Sequence, residues 1–199
     1  MAGAPPTSAP PSGRPYLLAG LAWFVAALVL TASGRLAALR PPGPQLILAG
    51  ATVMLLVAGA LISGFRIWRA GINLRQLVAL HLTRFVGIWF LVLYARGELP
   101  YAFAVPGGWG DILVATGALV LVLFVPNLVA HRTWLLAWNL LGILDLLYVV
   151  GTATRIARVS PESMQALLAF PLGLVPTFLV PLLLVSHVWL FGRMRPEKV

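Results

Sequence analysis

The sequence predicts an all-α, polytopic membrane protein: six transmembrane helices in one bundle, the fourth and sixth broken by proline and glycine. Three observations carry this. Sixty per cent of the residues are apolar and only ten per cent are charged, whereas soluble domains carry about a quarter charged residues. Apolar windows long enough to cross a hydrocarbon core of about 30 Å recur six times along the 199 residues. The segments joining them are short and collect most of the arginines, which leaves no stretch for a soluble domain. Any chemistry must then be done inside the bundle or on short loops.

Residues 1–15, MAGAPPTSAPPSGRP, hold five prolines and almost no large apolar groups, so they are expected to form a disordered tail. The membrane domain is expected over 16–192, with a short basic tail at 193–199. The first window, 16–33, is longer than a secretory apolar core and reads as a retained anchor, although TASGR at 31–35 offers small residues for cleavage. The second, 45–63, carries Ala49, Gly59 and Ser63, small enough to allow close helix approach. The loop GFRIWRAGINLR (64–75) interleaves apolar residues with Arg66, Arg69 and Arg75, as suits a segment in a headgroup layer against anionic lipid.

The third window, 74–95, contains His81 and Arg84. The fourth, 101–125, contains PGGWGD, and Pro106, Gly107 and Gly108 predict a break followed by a new helix with Asp111 at its N-cap. A helix from Asp111 to Val125 is only about 22 Å long, so this break would dip below the membrane surface and face protein or a wet cavity. The fifth window, 133–152, contains Asn139 and Asp145. The sixth, 166–191, has prolines at 171, 176 and 181, each removing a backbone hydrogen bond and freeing a carbonyl.

Six spans put both termini on one side. That side collects Arg14, Arg66, Arg69, Arg75, Arg132, Arg193, Arg195 and Lys198, against Arg35, Arg40, Arg96, Arg155 and Arg158 opposite. The positive-inside rule therefore predicts cytoplasmic termini. Counting from the cytoplasmic helix ends at 1.5 Å per residue, Arg84 lies about 15 Å deep and Asp145 about 18 Å deep. The two opposite charges share a depth near the midplane, where each alone would cost about 2.5–3.5 kcal/mol. A buried Arg84–Asp145 pair is the expected polar centre, with Arg84 also able to serve carbonyls freed by Pro176 and Pro181.

The segments RFVGIWFL (84–91), GELPYAFAVPGGWGD (97–111), WNLLGILDLL (138–147) and PTFLVP (176–181) resemble an uncharacterised family of small multi-pass bacterial membrane proteins. G-W-G-D, N-x-x-G-x-x-D and P-x-F-L-V-P elements recur in that family. The resemblance runs from about His81 to His187 and leaves out the first two spans. It implies the fold and a bacterial cytoplasmic (inner) membrane location; it implies no reaction.

The function classes narrow accordingly. Scattered arginines form no basic face for nucleic acid, despite a net charge of +9. Without cysteine there is neither a disulfide nor a thiolate metal site, and no metal site is expected. Ser186 beside His187 is only a sequence neighbour, and neither H-E-x-x-H nor G-x-S-x-G occurs, so no enzyme activity and no catalytic residue are expected. The leading expectation is a small transporter-like or accessory protein, with a proton or a small anionic ligand at the Arg84–Asp145 pair. Two alternatives stand beside it. His81 and His187, about 10 Å and 6 Å deep, could hold one haem b as axial ligands; otherwise the protein is a purely structural subunit of a membrane complex.

Overall fold

The computed structural model describes residues 13–194. Six helices are long and apolar enough to cross a membrane, Arg14–Ala32, Gly43–Leu61, Leu74–Ala95, Tyr101–Phe124, Arg132–Val159 and Val175–Arg193, here called the first to sixth spans. No strand occurs among the described residues. The first span starts at Arg14, inside the expected N-terminal tail; the rest of that tail and residues 195–199 of the basic tail lie outside the described residues. A short helix, Ser63–Ala70, links the second and third spans.

Burial sorts the spans into two groups. Only 11% of the apolar window is buried in each of the first and second spans, against 39–50% in the other four. Spans three to six therefore build the core, and the first two turn most of their apolar surface outward, as lipid permits and water would not. The first span is joined to the core by aromatic contacts: Trp23 and Phe24 meet Phe178, with ring centroids 4.6 and 5.2 Å apart.

The third span changes helix type halfway. Leu74–Ala79 is α-helical, Leu80–Val86 is a 3₁₀-helix and Gly87–Ala95 is α-helical again. A 3₁₀-helix has three residues per turn, so side chains at i and i+3 eclipse. Val78, His81, Arg84 and Gly87 accordingly fall on one buried face. The tighter turn also rises about 2.0 Å per residue, which carries Arg84 to about 17 Å from the start of the span rather than 15 Å.

The fourth span corrects the expectation of a break. Tyr101–Phe124 is one continuous α-helix with Pro106 inside it. Pro106 stands only five residues from the helix start, so the single bond it removes is to a carbonyl in the first turn. The glycines serve close packing instead. A β-carbon on Gly107 would lie 3.2 Å from Val149 of the fifth span, one on Gly108 would lie 2.8 Å from the Gly87 carbonyl oxygen of the third, and one on Gly110 would collide with the Asp145 carboxylate. Each small residue admits a neighbour, the device by which membrane helices come into backbone contact.

The sixth span starts at Val175 rather than 166. Pro161–Met164 forms a 3₁₀ turn and Gln165–Leu168 a single α-turn, so Pro171 lies in the connection before the span and does not break it. Gln165 Nε2 donates to the Ala37 carbonyl at 2.7 Å, tying this connection to the loop after the first span. The break is a π-helical turn, Val175–Leu179, with Pro176 inside it and Pro181 just after it. Pro181 cannot donate to the Thr177 carbonyl four residues back; Trp23 Nε1 of the first span donates to it instead, at 3.2 Å. Thr177 Oγ1 bonds the Gly173 carbonyl at 2.7 Å. A neighbour's indole and a hydroxyl thus serve the broken turn; Arg84 does not.

Arginines close the end of the bundle from which the third and fifth spans start. Arg75 donates to the carbonyls of Val125 and Pro126 at 2.7 and 2.9 Å, and to that of Val122. Arg193 donates to the carbonyls of Arg69 and Ala70 at 2.5 and 2.6 Å, and to that of Ile72. Both satisfy carbonyls left over at helix ends. Of the three arginines read as lipid-facing, Arg75 is turned inward. Arg69 lies 5.3 Å from the Trp189 ring centroid, and Arg66 is exposed.

Candidate functional site

Arg84 is fully buried, at 0% exposure. Its Nε donates to Asp111 Oδ1 of the fourth span at 2.6 Å, Nη1 to the Gly142 carbonyl of the fifth at 2.9 Å, and Nη2 to Asp145 of the fifth. The third span thus reaches both neighbours through one side chain. Arg84 and Asp145, which depth counting brings to one level, are ion-paired. Asp111, read from the sequence as an interfacial helix cap, is instead the second carboxylate of the same centre.

Its true depth was encoded in the span length. Counted from Phe124 through an unbroken helix, Asp111 is 13 residues in, about 20 Å, the same as Asp145 counted from Arg132. The apparent break at Pro106–Gly108 hid this equivalence. Two further participants lie in the quoted segments without being singled out there: the carbonyl of Gly142, the glycine of N-x-x-G-x-x-D, and Gly87, where a β-carbon would lie 2.5 Å from the Gly108 carbonyl oxygen and 2.6 Å from Asp111 Cβ. Gly87 lets the fourth span come near enough for Asp111 to reach Arg84.

With both carboxylates ionised, the centre holds one negative charge more than Arg84 balances. The two acids also face different surroundings. Asp111 lines a cavity of about 290 Å³ whose inner end includes Arg84 and whose outer end is framed by Leu39, Pro161 and Gln165; Asp145 lies between the fourth and fifth spans, its carboxylate against Gly110. Arg84 holds only Oδ1 of Asp111, leaving Oδ2 for other partners. The cavity walls are mostly aliphatic, from Leu48 and Val149 to Leu183.

A second polar cluster adjoins the first on the arginine-closed side. His81 and His187 are both fully buried, with ring centroids 4.2 Å apart. Ser186 Oγ donates its one proton to the Leu183 carbonyl at 2.8 Å, so its 2.9 Å contact with His81 Nε2 makes that nitrogen the donor. His187 Nδ1 lies 2.8 Å from Asn139 Oδ1, an acceptor, so His187 donates there; Asn139 Nδ2 in turn donates to the His187 carbonyl at 3.2 Å. These bonds fix both tautomers and leave His81 Nδ1 and His187 Nε2 as bare, buried acceptors without partners among the described residues. In this arrangement the two rings are in direct contact with no gap for a porphyrin between them, and His81 Nε2 and His187 Nδ1 are engaged by Ser186 and Asn139. His187 packs on Gly142, where a β-carbon would lie 2.5 Å from its Cε1, and the Gly142 carbonyl holds Arg84. The two clusters are therefore neighbours.

Residues 41–195 match the family described as "Domain of unknown function (DUF8737)", and the chain belongs to that family. The matched region includes every residue of both clusters and leaves out the first span. Comparison with curated proteins and with solved structures found no match.

Proposed function

We propose that this member of the DUF8737 family is a small transporter-like membrane protein in which Asp111 and Asp145, sharing Arg84, hold and release a proton at the inner end of the cavity. One observation carries the reading: a single guanidinium at the midplane is shared by two carboxylates, one of which borders a cavity. An excess charge there costs about 2.5–3.5 kcal/mol on insertion-derived scales, and one proton removes it. Intramembrane carboxylates commonly belong to proton paths, and a broken helix beside a midplane site suits a transporter. The bare nitrogens of His81 and His187 extend acceptors from this centre toward the arginine-closed end. A small anion suits the site less well, because Arg84 already answers two carboxylates.

The bias of positive residues supports cytoplasmic termini, so the cavity would open outward from a bacterial inner membrane. A structural reading rests on the same bonds: Arg84 ties three spans and could serve to fix their register. Infrared difference spectra taken across a pH titration separate the two. The proton reading expects a protonated-carboxyl band that appears on acidification and disappears in Asp111→Asn or Asp145→Asn. The exposed Glu162, outside the spans, serves as control: Glu162→Gln leaves the band of the buried acids in place. No such band in the wild-type protein leaves only the register role.

A further inference from the structure

The cavity that ends at Asp111 also specifies a kind of molecule. Its walls are aliphatic over most of their length, while the polar groups fall at its two ends: Arg84 and Asp111 inside, Gln45, Thr154 and Gln165 toward the mouth. Gln45 Oε1 is buried and has no hydrogen-bond partner among the described residues. Gln45 is the third residue of its span and Asp111 the eleventh of its own, so the two lie about 12 Å apart along the bundle axis. The space is therefore long relative to its volume of about 290 Å³, at the small end for ligand pockets. An apolar chain fits such walls, and its head must suit the inner end.

Charge decides the head group. Arg84 and Asp111 line the inner end, the centre they form with Asp145 carries excess negative charge when both acids are ionised, and Asp111 Oδ2 is not held by Arg84. A carboxylate or phosphate head would meet like charge there, and a neutral chain would leave that charge unanswered. An ammonium supplies positive charge and three donors.

We infer that the cavity binds a linear aliphatic amine, its chain along the Leu48, Val149 and Leu183 walls and its ammonium on Asp111. This rests on the functional reading above and adds to it a ligand class: the amine and the proton would compete for Asp111.

The test uses the full-length protein in nanodiscs of zwitterionic lipid, with empty nanodiscs subtracted, and calorimetric titration of octylamine, octanol and octanoate. Octylamine is expected to bind at least about tenfold more tightly than octanol, with octanoate weakest. Asp111→Asn should bring octylamine down to the level of octanol without changing octanol itself. Ala153→Trp, which fills the cavity from its wall, should abolish binding of both, and its melting temperature reports whether it has folded. Equal binding of octylamine and octanol, tightest binding of octanoate, or undiminished octylamine binding in a folded Ala153→Trp protein overturns the inference. The two readings fail separately. A pH-dependent carboxyl band without amine preference sinks the amine alone, whereas amine preference lost in Asp111→Asn without that band removes the proton and keeps the ligand.

Discussion

Replacing Gly87 with alanine places a methyl group at the closest crossing of the third and fourth spans. Its carbon would lie 2.5 Å from the Gly108 carbonyl oxygen and 2.6 Å from Asp111 Cβ. Both obstacles are backbone or the root of a side chain, so neither can swing aside. Reaching ordinary contact requires the helices to part by about 1 Å, since such contacts begin near 3.4 Å. That displacement stretches the 2.6 Å bond from Arg84 Nε to Asp111 beyond hydrogen-bond range. Overpacking costs about 1–3 kcal/mol, and a hydrogen bond to a charged group is worth about 1.5–3 kcal/mol. The better helix propensity of alanine returns about 1 kcal/mol, which leaves a net loss of about 1.5–5 kcal/mol. Graded denaturation in mixed micelles, followed by circular dichroism, measures it. Gly20→Ala is the matched control, because nothing lies within 4 Å of that position; it should be neutral or up to about 1 kcal/mol more stable. Gly87→Ala and Gly20→Ala proteins of equal stability would refute the close crossing and with it the route by which Asp111 reaches Arg84.

Three further outcomes follow from the same contacts. Arg84→Met strands two buried carboxylates and should cost about 3–5 kcal/mol in micelle denaturation, most of it recovered when Asp111→Asn and Asp145→Asn are added. Trp23→Phe keeps a ring against Phe178 but removes the donor to the Thr177 carbonyl; a loss of about 1–2 kcal/mol is expected, and none if that carbonyl has another partner. Pro106→Ala should not destabilise the protein, because the helix already runs through that position; a stability loss above about 1 kcal/mol would show that the proline holds a bend.

Much of the architecture was legible because bilayer thickness and the 1.5 Å rise of a helix are fixed lengths. Apolar windows locate the spans, and counting along them brings Arg84 and Asp145 to one depth. What escaped was local backbone choice. Pro106-Gly107-Gly108 reads as a helix breaker from propensity, yet propensity is weak against packing on the third and fifth spans. Misreading that stretch moved Asp111 from the midplane to the interface and hid the second carboxylate. The 3₁₀ segment at Leu80–Val86 leaves no mark in a single sequence, although the series Val78, His81, Arg84 and Gly87 has its period. In the sixth span, three prolines look alike in sequence; only the position of the turn before Val175 separates Pro171 from Pro176 and Pro181. His81 and His187 could be matched in height by counting, but counting says nothing about ring contact.

Proton movement through the centre is the most direct measurement. The purified protein is reconstituted into liposomes with a trapped pH dye, and an inward proton gradient is imposed in the presence of a potassium shunt. The account predicts that wild-type and Gly20→Ala proteins collapse the gradient faster than protein-free liposomes, and that Asp111→Asn, folded by its melting curve, does not. Collapse at the wild-type rate in Asp111→Asn, or at the protein-free rate in the wild type, would contradict it.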